Sequence, residues 1–363
     1  MSRDPIALRR AVLAAARELG FELAGIAPAQ ALPELQAFPA WIASGRAGEM
    51  RYLERKAPRA DAPYARENIL HVFPWARSVV CCGLVYNTAQ PKSTAPAPPG
   101  RGWISRYAWG DDYHEVLLAK LRRLAEHLRA AAGAAAGEEA GEDRVYVDTG
   151  PIVERVYARH AGLGWIGKNT CLIDQHHGSQ FFLGTLVTSL LIAADSAPED
   201  RCGSCTRCLE ACPTQALQPY QMDARRCIAY LTIELRGAVP EALRPAVGRH
   251  VLGCDICQDV CPWNRRAPVT DLAAFQPRPG LVNPDLEELA AMDETAYRER
   301  FRASAVKRAK WAGLRRNLAL AMGNSRQARF RPRLQAWSES DDAVLREHAR
   351  WALRQLEPSD ANP

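Results

Sequence analysis

Eight of the chain's eleven cysteines lie between residues 202 and 261, as Cys202-x2-Cys205-x2-Cys208-x3-Cys212-Pro, then Cys227, then Cys254-x2-Cys257-x3-Cys261-Pro. The first group matches the C-x2-C-x2-C-x3-C-P run of bacterial ferredoxins. There three thiolates hold one [4Fe–4S] cluster and the fourth reaches across to a second. The later group keeps the same steps, but its first member, Cys227, stands 27 residues before Cys254. The crossed assignment therefore puts Cys202, Cys205, Cys208 and Cys261 on one cluster, and Cys212, Cys227, Cys254 and Cys257 on the other. Zinc also takes C-x2-C pairs, but in fours and without C-x3-C-P tails. Disulfides are disfavoured in a chain without an export signal. Two adjacent clusters form a relay for single electrons, so a further centre must carry out two-electron chemistry.

No flavin or nicotinamide fingerprint accompanies the relay. The N-terminal residues Met1-Ser2-Arg3-Asp4-Pro5 have no apolar leader character, and the longest apolar run, 183–194, is interrupted and too short to span a bilayer. A cytoplasmic protein without membrane association is expected. At 363 residues the chain has room for two or three domains. The expected class is a multi-domain α+β protein: an α/β domain over 1–195, a ferredoxin-type double-cluster domain over 196–285, and a helical region over 286–363.

Periodicity predicts helices over 5–20, 35–44 and 112–132, the last with an apolar stripe at Leu117, Leu121, Leu124 and Leu128. Strands are expected over 22–26 and 78–86, over 145–148 ending on Asp148, and within 180–194. Cys81 and Cys82 then belong to the core. A helix should follow Pro151. Irregular connections are expected at 91–102 and in the Ala/Gly/Glu stretch 133–142. Gly162-Leu163-Gly164-Trp165-Ile166-Gly167-Lys168-Asn169 reads as a close backbone approach to a ligand, though not as a phosphate-binding loop.

Charge is concentrated near the C-terminus. Residues 298–333 carry twelve Lys/Arg against one acid, Glu299, in a chain of net charge +6. Such density points to a polyanionic partner or to a solvated helical face. Residues 313–321 resemble 345–353 in sequence, near the spacing of HEAT-type helical hairpins.

Several stretches together carry a family resemblance. They are Ile104-Ser105-Arg106-Tyr107 with Gly110-Asp111-Asp112-Tyr113-His114, Val147-Asp148-Thr149-Gly150-Pro151 with Glu154-Arg155, the glycine-rich 162–169 segment, Arg225 to Glu234, and Cys254 to Asn264. Over nearly the whole chain they resemble epoxyqueuosine reductase. The resemblance implies reduction of epoxyqueuosine to queuosine at the wobble position of a GUN-anticodon tRNA. It also implies cobalamin fed by the two [4Fe–4S] clusters, an external donor such as reduced flavodoxin or a ferredoxin-like protein, and a monomer. The first domain would be a nitroreductase-like cobalamin-binding unit and the tail a HEAT-like tRNA grip.

Residue by residue, the resemblance makes Asp148 the proton donor. Opening an epoxide requires the leaving oxygen to be protonated, and such an Asp would need an apolar pocket to hold its proton. The alternative role is an N-cap for the following helix. Cobalamin contacts are expected from Arg55, Lys168, Asn169, Thr170, Cys171, Ala229 and Asp255, with Tyr107 and His114 lining the pocket. Asp174-x-His176-x-Gly178 approaches a cobalamin-ligating motif, but its glycine falls one position early, so both histidines should sit on a turn. Arg308, Lys310, Arg315 and Arg316 are the expected tRNA contacts. The rival readings are a reductive dehalogenase of small molecules and a non-catalytic electron-transfer or tRNA-binding module.

Overall fold

The structure, a computed structural model, describes residues 4–58, 64–133 and 141–357. Most of the connection expected over 133–142 lies outside them. Asp4 accepts hydrogen bonds from the amides of Ile6 and Ala7 and Pro5 opens the first turn, so helix α1 runs Pro5–Glu18. It ends at Gly20, whose φ of 77° suits glycine. The helix expected over 35–44 is instead a 3₁₀ turn, Pro33–Ala37, followed by a short α-helix, Phe38–Ala43. Pro39 has no N–H to continue one α-helix through this point.

Four strands form the main sheet: β1 (Leu23–Pro28), β2 (Ser78–Val85), β4 (Asp143–Tyr146) and β7 (Phe181–Thr188), in the order β1-β2-β7-β4. Every neighbouring pair is antiparallel. The first unit is therefore α+β in construction, without the parallel crossovers that an α/β reading implies. Every residue of β2 is buried. Val80, Cys82 and Leu84 face α1 and helix α2 (Tyr113–Ala131), where Leu117, Leu121, Leu124 and Leu128 complete the layer. Val79, Cys81 and Val85 face the opposite layer, with Ile152, Val156 and Tyr157. A strand covered on both faces has no polar alternation to display.

The strand expected to reach Asp148 stops at Tyr146, and Asp148 lies in a turn beyond it. The helix expected after Pro151 is α3 (Glu154–His160), whose N-cap is Val153. Asp148 does not cap it. The glycine-rich segment supplies a small hairpin of β5 (Trp165–Ile166) and β6 (Leu172–Ile173).

The cysteine segment is joined to the first half of the chain by a parallel pair, β3 (Trp103–Ile104) with β8 (His250–Leu252). Around that seam one core gathers Trp103, Trp109, Ile228, Leu231, Val251, Leu289, Leu318 and Leu345. The described part of the tail is helical apart from short connections, and two of its helices, α4 (Lys310–Ser325) and α5 (Ala343–Gln355), hold the two resembling stretches and pack on each other. Gly323 permits that approach, because a Cβ there would sit 2.8 Å from the Ala352 backbone.

Gly25 in β1 faces α3 so closely that a Cβ would collide with the Ala161 carbonyl oxygen. The substitution Gly25→Ala is expected to cost about 3 kcal/mol of unfolding free energy, read by denaturant titration against the unaltered chain.

Candidate functional site

The eight cysteines interact electrostatically with one another. Cys261 lies within range of Cys202 and Cys208, and Cys208 within range of Cys202 and Cys205. Cys254 lies within range of Cys227 and Cys212, and Cys257 within range of Cys254 and Cys227. Cys171 lies within range of Cys261, Cys257 and Cys227 as well, and thiolates are the donors a [4Fe–4S] cluster takes. Backbone amides point at the sulfurs: those of Ala229 and Tyr230 at Cys227, Ile256 at Cys254 and Trp263 at Cys261. The Ala216 N–H lies 3.4 Å from Cys212 Sγ. Such N–H···S contacts stabilise negative charge on sulfur and tune a cluster's potential. Trp165 and Trp263 meet edge to face beside Cys202 and Cys261.

The residues expected to touch a corrin divide in two. Lys168 Nζ donates to the carbonyls of Gly203 (2.7 Å) and Cys205 (3.0 Å), pinning the first cysteine turn. Asn169 is buried, and its Oδ1 accepts from the Cys171 amide. Asp255 is also buried, and accepts from Trp103 Nε1 (3.0 Å), Ser105 Oγ (2.6 Å) and the Arg106 amide (2.8 Å). Burial, then Asp259, pushes its carboxyl up to about 6. These three side chains all make contacts within the protein. Arg55 is exposed, while Thr170, Cys171 and Ala229 are partly exposed. Cys171 also hydrogen-bonds the Cys257 sulfur. The two histidines near Asp174 do lie on a turn, with His177 Nδ1 2.7 Å from Asp174 Oδ1.

Asp148 occupies the left-handed region, φ 59°, with its side chain 68% exposed. The apolar pocket expected around it is not there. Tyr113 donates its hydroxyl to Asp148 Oδ2 at 3.1 Å, and burial keeps that phenol protonated by pushing it far up. His114 Nε2 stands 3.9 Å from Asp148 Oδ2, while its Nδ1 is 2.7 Å from Asp112 Oδ1. Asp112 therefore orients the imidazole toward Asp148. Tyr107 is enclosed nearby, raised by burial and then by Asp148 and Asp255.

The displaced carboxyl at this site is Glu154. Its Oε1 accepts the Asp148 amide at 2.7 Å, and burial, then the Asp148 charge, pushes it up to about 8. Arg66, 9% exposed, donates to the carbonyls of Tyr52 (2.9 Å) and Gly150 (2.8 Å). Arg66 gives no sequence signal. Glu154 gives a faint one, as an acid six residues beyond Asp148 opening the next helix.

From the tail, Arg308 reaches this site, pairing with both Glu234 oxygens at 2.8 Å and lying over the Tyr52 ring. Lys310 is exposed, and Arg315 is half-buried between Trp311 and Asp342. Arg316 is not a surface residue. It is 1% exposed, and donates to the carbonyls of Leu231, Leu235 and Gly237 and to Asn317 Oδ1. A helix-period reading cannot separate one inward arginine from its neighbours.

Comparison with known proteins places these features in context. The family models "4Fe-4S double cluster binding domain" and "Epoxyqueuosine reductase QueG, DUF1730" match residues 201–264 and 66–149. An epoxyqueuosine reductase of Synechocystis sp. is 46% identical over 78% of this chain and 93% of its own. One of Xanthomonas campestris pv. campestris is 37% identical over 97% of both chains. The crystal structure of an epoxyqueuosine reductase with an epoxyqueuosine-modified tRNA-Tyr stem loop superposes with a TM-score of 0.83 at 29% identity, covering 96% of this chain and 90% of that one.

Glu154 also makes stability depend on pH. Its folded value of about 8 exceeds the ordinary 4.5, so its contribution is full below about pH 4.5 and lost as pH rises through 8. Replacing it by Gln should flatten the fall in melting temperature between pH 5 and 8, and an unchanged slope would show that Glu154 is ionised in the folded chain.

Proposed function

This chain belongs to the epoxyqueuosine reductase family, and from that membership we propose that it reduces epoxyqueuosine to queuosine in tRNA. The observation that carries the reading is that Asp148, Asp255 beside the cysteines and Arg308 of the tail all act on one enclosed side chain, Tyr107. The reaction takes two electrons and two protons, turning an epoxide into an alkene and water.

Cobalamin, when bound, supplies a strongly reducing cobalt centre, and two [4Fe–4S] clusters supply its electrons singly. The side chains left to hold the corrin are Arg55 and Thr170, with the backbone at Cys171 and Ala229. We read residues 1–195 as a nitroreductase-like cobalamin-binding unit, 196–285 as the double-cluster unit and 286–363 as a HEAT-like tRNA-binding unit. The packing of α4 on α5 supports the last of these. The reading includes a monomer in the cytoplasm that takes electrons from a flavodoxin or ferredoxin-like donor. Among the described residues no helix is long and apolar enough to cross a membrane.

In this reading Asp148 protonates the leaving oxygen. Its exposure lets a nucleotide approach, and the Tyr113 hydroxyl fixes which carboxyl oxygen turns outward. His114, oriented by Asp112, is placed to return a proton to Asp148 between turnovers. Arg308, Lys310 and Arg315 supply positive charge for tRNA phosphates, while Arg316 holds the surface that carries them.

Replacing Asp148 by Ala should lower turnover of epoxyqueuosine-containing stem loop by roughly 10²–10⁴-fold, with cobalamin and iron content unchanged. Nucleoside mass analysis for loss of one oxygen reads the result, and full turnover would remove Asp148 from the chemistry. The double variant Lys310→Gln/Arg315→Gln should reduce the slope of log affinity for tRNA against log salt by about 2. An unaltered slope would move the grip elsewhere.

A further inference from the structure

Asp148 is held by contacts to its backbone and to its loop. A left-handed backbone costs an L-residue about 1 kcal/mol or more, and the exposed Asp148 side chain repays little of it. The amide of Asp148 donates to Glu154 Oε1 at 2.7 Å, at the start of α3. Two residues on, the Gly150 carbonyl accepts from Arg66 Nη2 at 2.8 Å, and the other Arg66 nitrogen reaches the Tyr52 carbonyl. Gly150 itself lies flat on Tyr146, where a Cβ would stand 2.7 Å from the ring. The turn is thus gripped at an N–H and at a C=O by two side chains that leave the Asp148 carboxyl free.

We propose that Glu154 and Arg66 are positioning residues that clamp the Asp148 turn from its two ends and so present the proton donor at a fixed point. The proposal rests on the reading of Asp148 as donor. The charged and titratable groups facing Glu154 are Asp148, Arg155 and Arg66, with Tyr113 and Cys81 also sensing its charge. The contact to the Asp148 amide uses a single acceptor oxygen, Glu154 Oε1, and an amide oxygen can replace it.

The test uses holoenzyme carrying cobalamin and iron–sulfur clusters, with epoxyqueuosine-containing tRNA stem loop as substrate. Glu154→Ala should lower kcat by roughly 10- to 100-fold and leave KM within about twofold, because the substrate's own contacts are intact. Amide exchange, read by mass spectrometry on the peptide covering 145–152, should quicken in the same variant. Glu154→Gln should restore both kcat and exchange to within about threefold of the parent. Arg66→Lys, which keeps the charge but cannot span both carbonyls, should give an intermediate loss and serves if Glu154→Ala does not fold. Parental kcat or parental exchange in Glu154→Ala, or a Gln variant as impaired as Ala, overturns the clamp. If Asp148→Ala keeps full turnover, the donor reading fails instead, while exchange in Glu154→Ala still reports whether the turn is clamped.

Discussion

Four thiolates must reach each of two points from chain segments far apart in sequence, and the rest of the molecule is built around that demand. In the proposed crossed assignment Cys261 joins Cys202 and Cys208, near which it lies, while Cys212 joins Cys227 and Cys254. The crossing requires residues 202–212 and 254–261 to be held against each other in one register. Lys168 fixes the first turn through two carbonyls, and the β3–β8 pair fixes the second segment. Asp255, between two of the cysteines, locks that seam with three hydrogen bonds to residues 103–106. A buried carboxylate with three donors is well compensated, whereas removing its donors would leave a charge with nowhere to go.

The same seam connects the redox segment to the tail. Asn317 donates to the carbonyls of Thr232 and Val251, and Arg316 donates to three carbonyls of residues 231–237. Part of the tail's positive charge is therefore internal, satisfying backbone at the end of the helix that follows Cys227. The outward charges are the ones left for a polyanion. Arg308 links the two uses, since its pairing with Glu234 fixes it beside Tyr52, close enough to Asp148 to interact with it.

What could be read from the sequence was whatever depends on local periodicity or fixed spacing. The cysteine steps, the stripe of Leu117 to Leu128 and the apolar run of β2 all came through, because each is set by neighbours along the chain. Strand direction was not legible, since a strand buried on both faces looks the same in parallel and antiparallel sheets. Arg316 was misjudged, and the protein partners of Lys168, Asn169 and Asp255 were missed, for one reason. Their polar ends meet groups contributed from 35 to 152 residues away, and no local pattern records such partners. Arg66, which meets Gly150 across 84 residues, escaped notice for the same cause.

The placement of Asp148 shows how one acid can be both accessible and controlled. A carboxyl buried to retain its proton would also be shut off from a nucleotide at the end of a bulky stem loop. Here the desolvated environment falls on Glu154 instead, pushed up to about 8, while Asp148 projects from a left-handed turn into solvent. Control then comes from geometry and neighbouring groups: Tyr113 on one carboxyl oxygen, His114 within 3.9 Å, and the amide held by Glu154. If Asp148 is the donor proposed above, separating the exposed group from the desolvated one lets it meet a large substrate without the structure around it loosening.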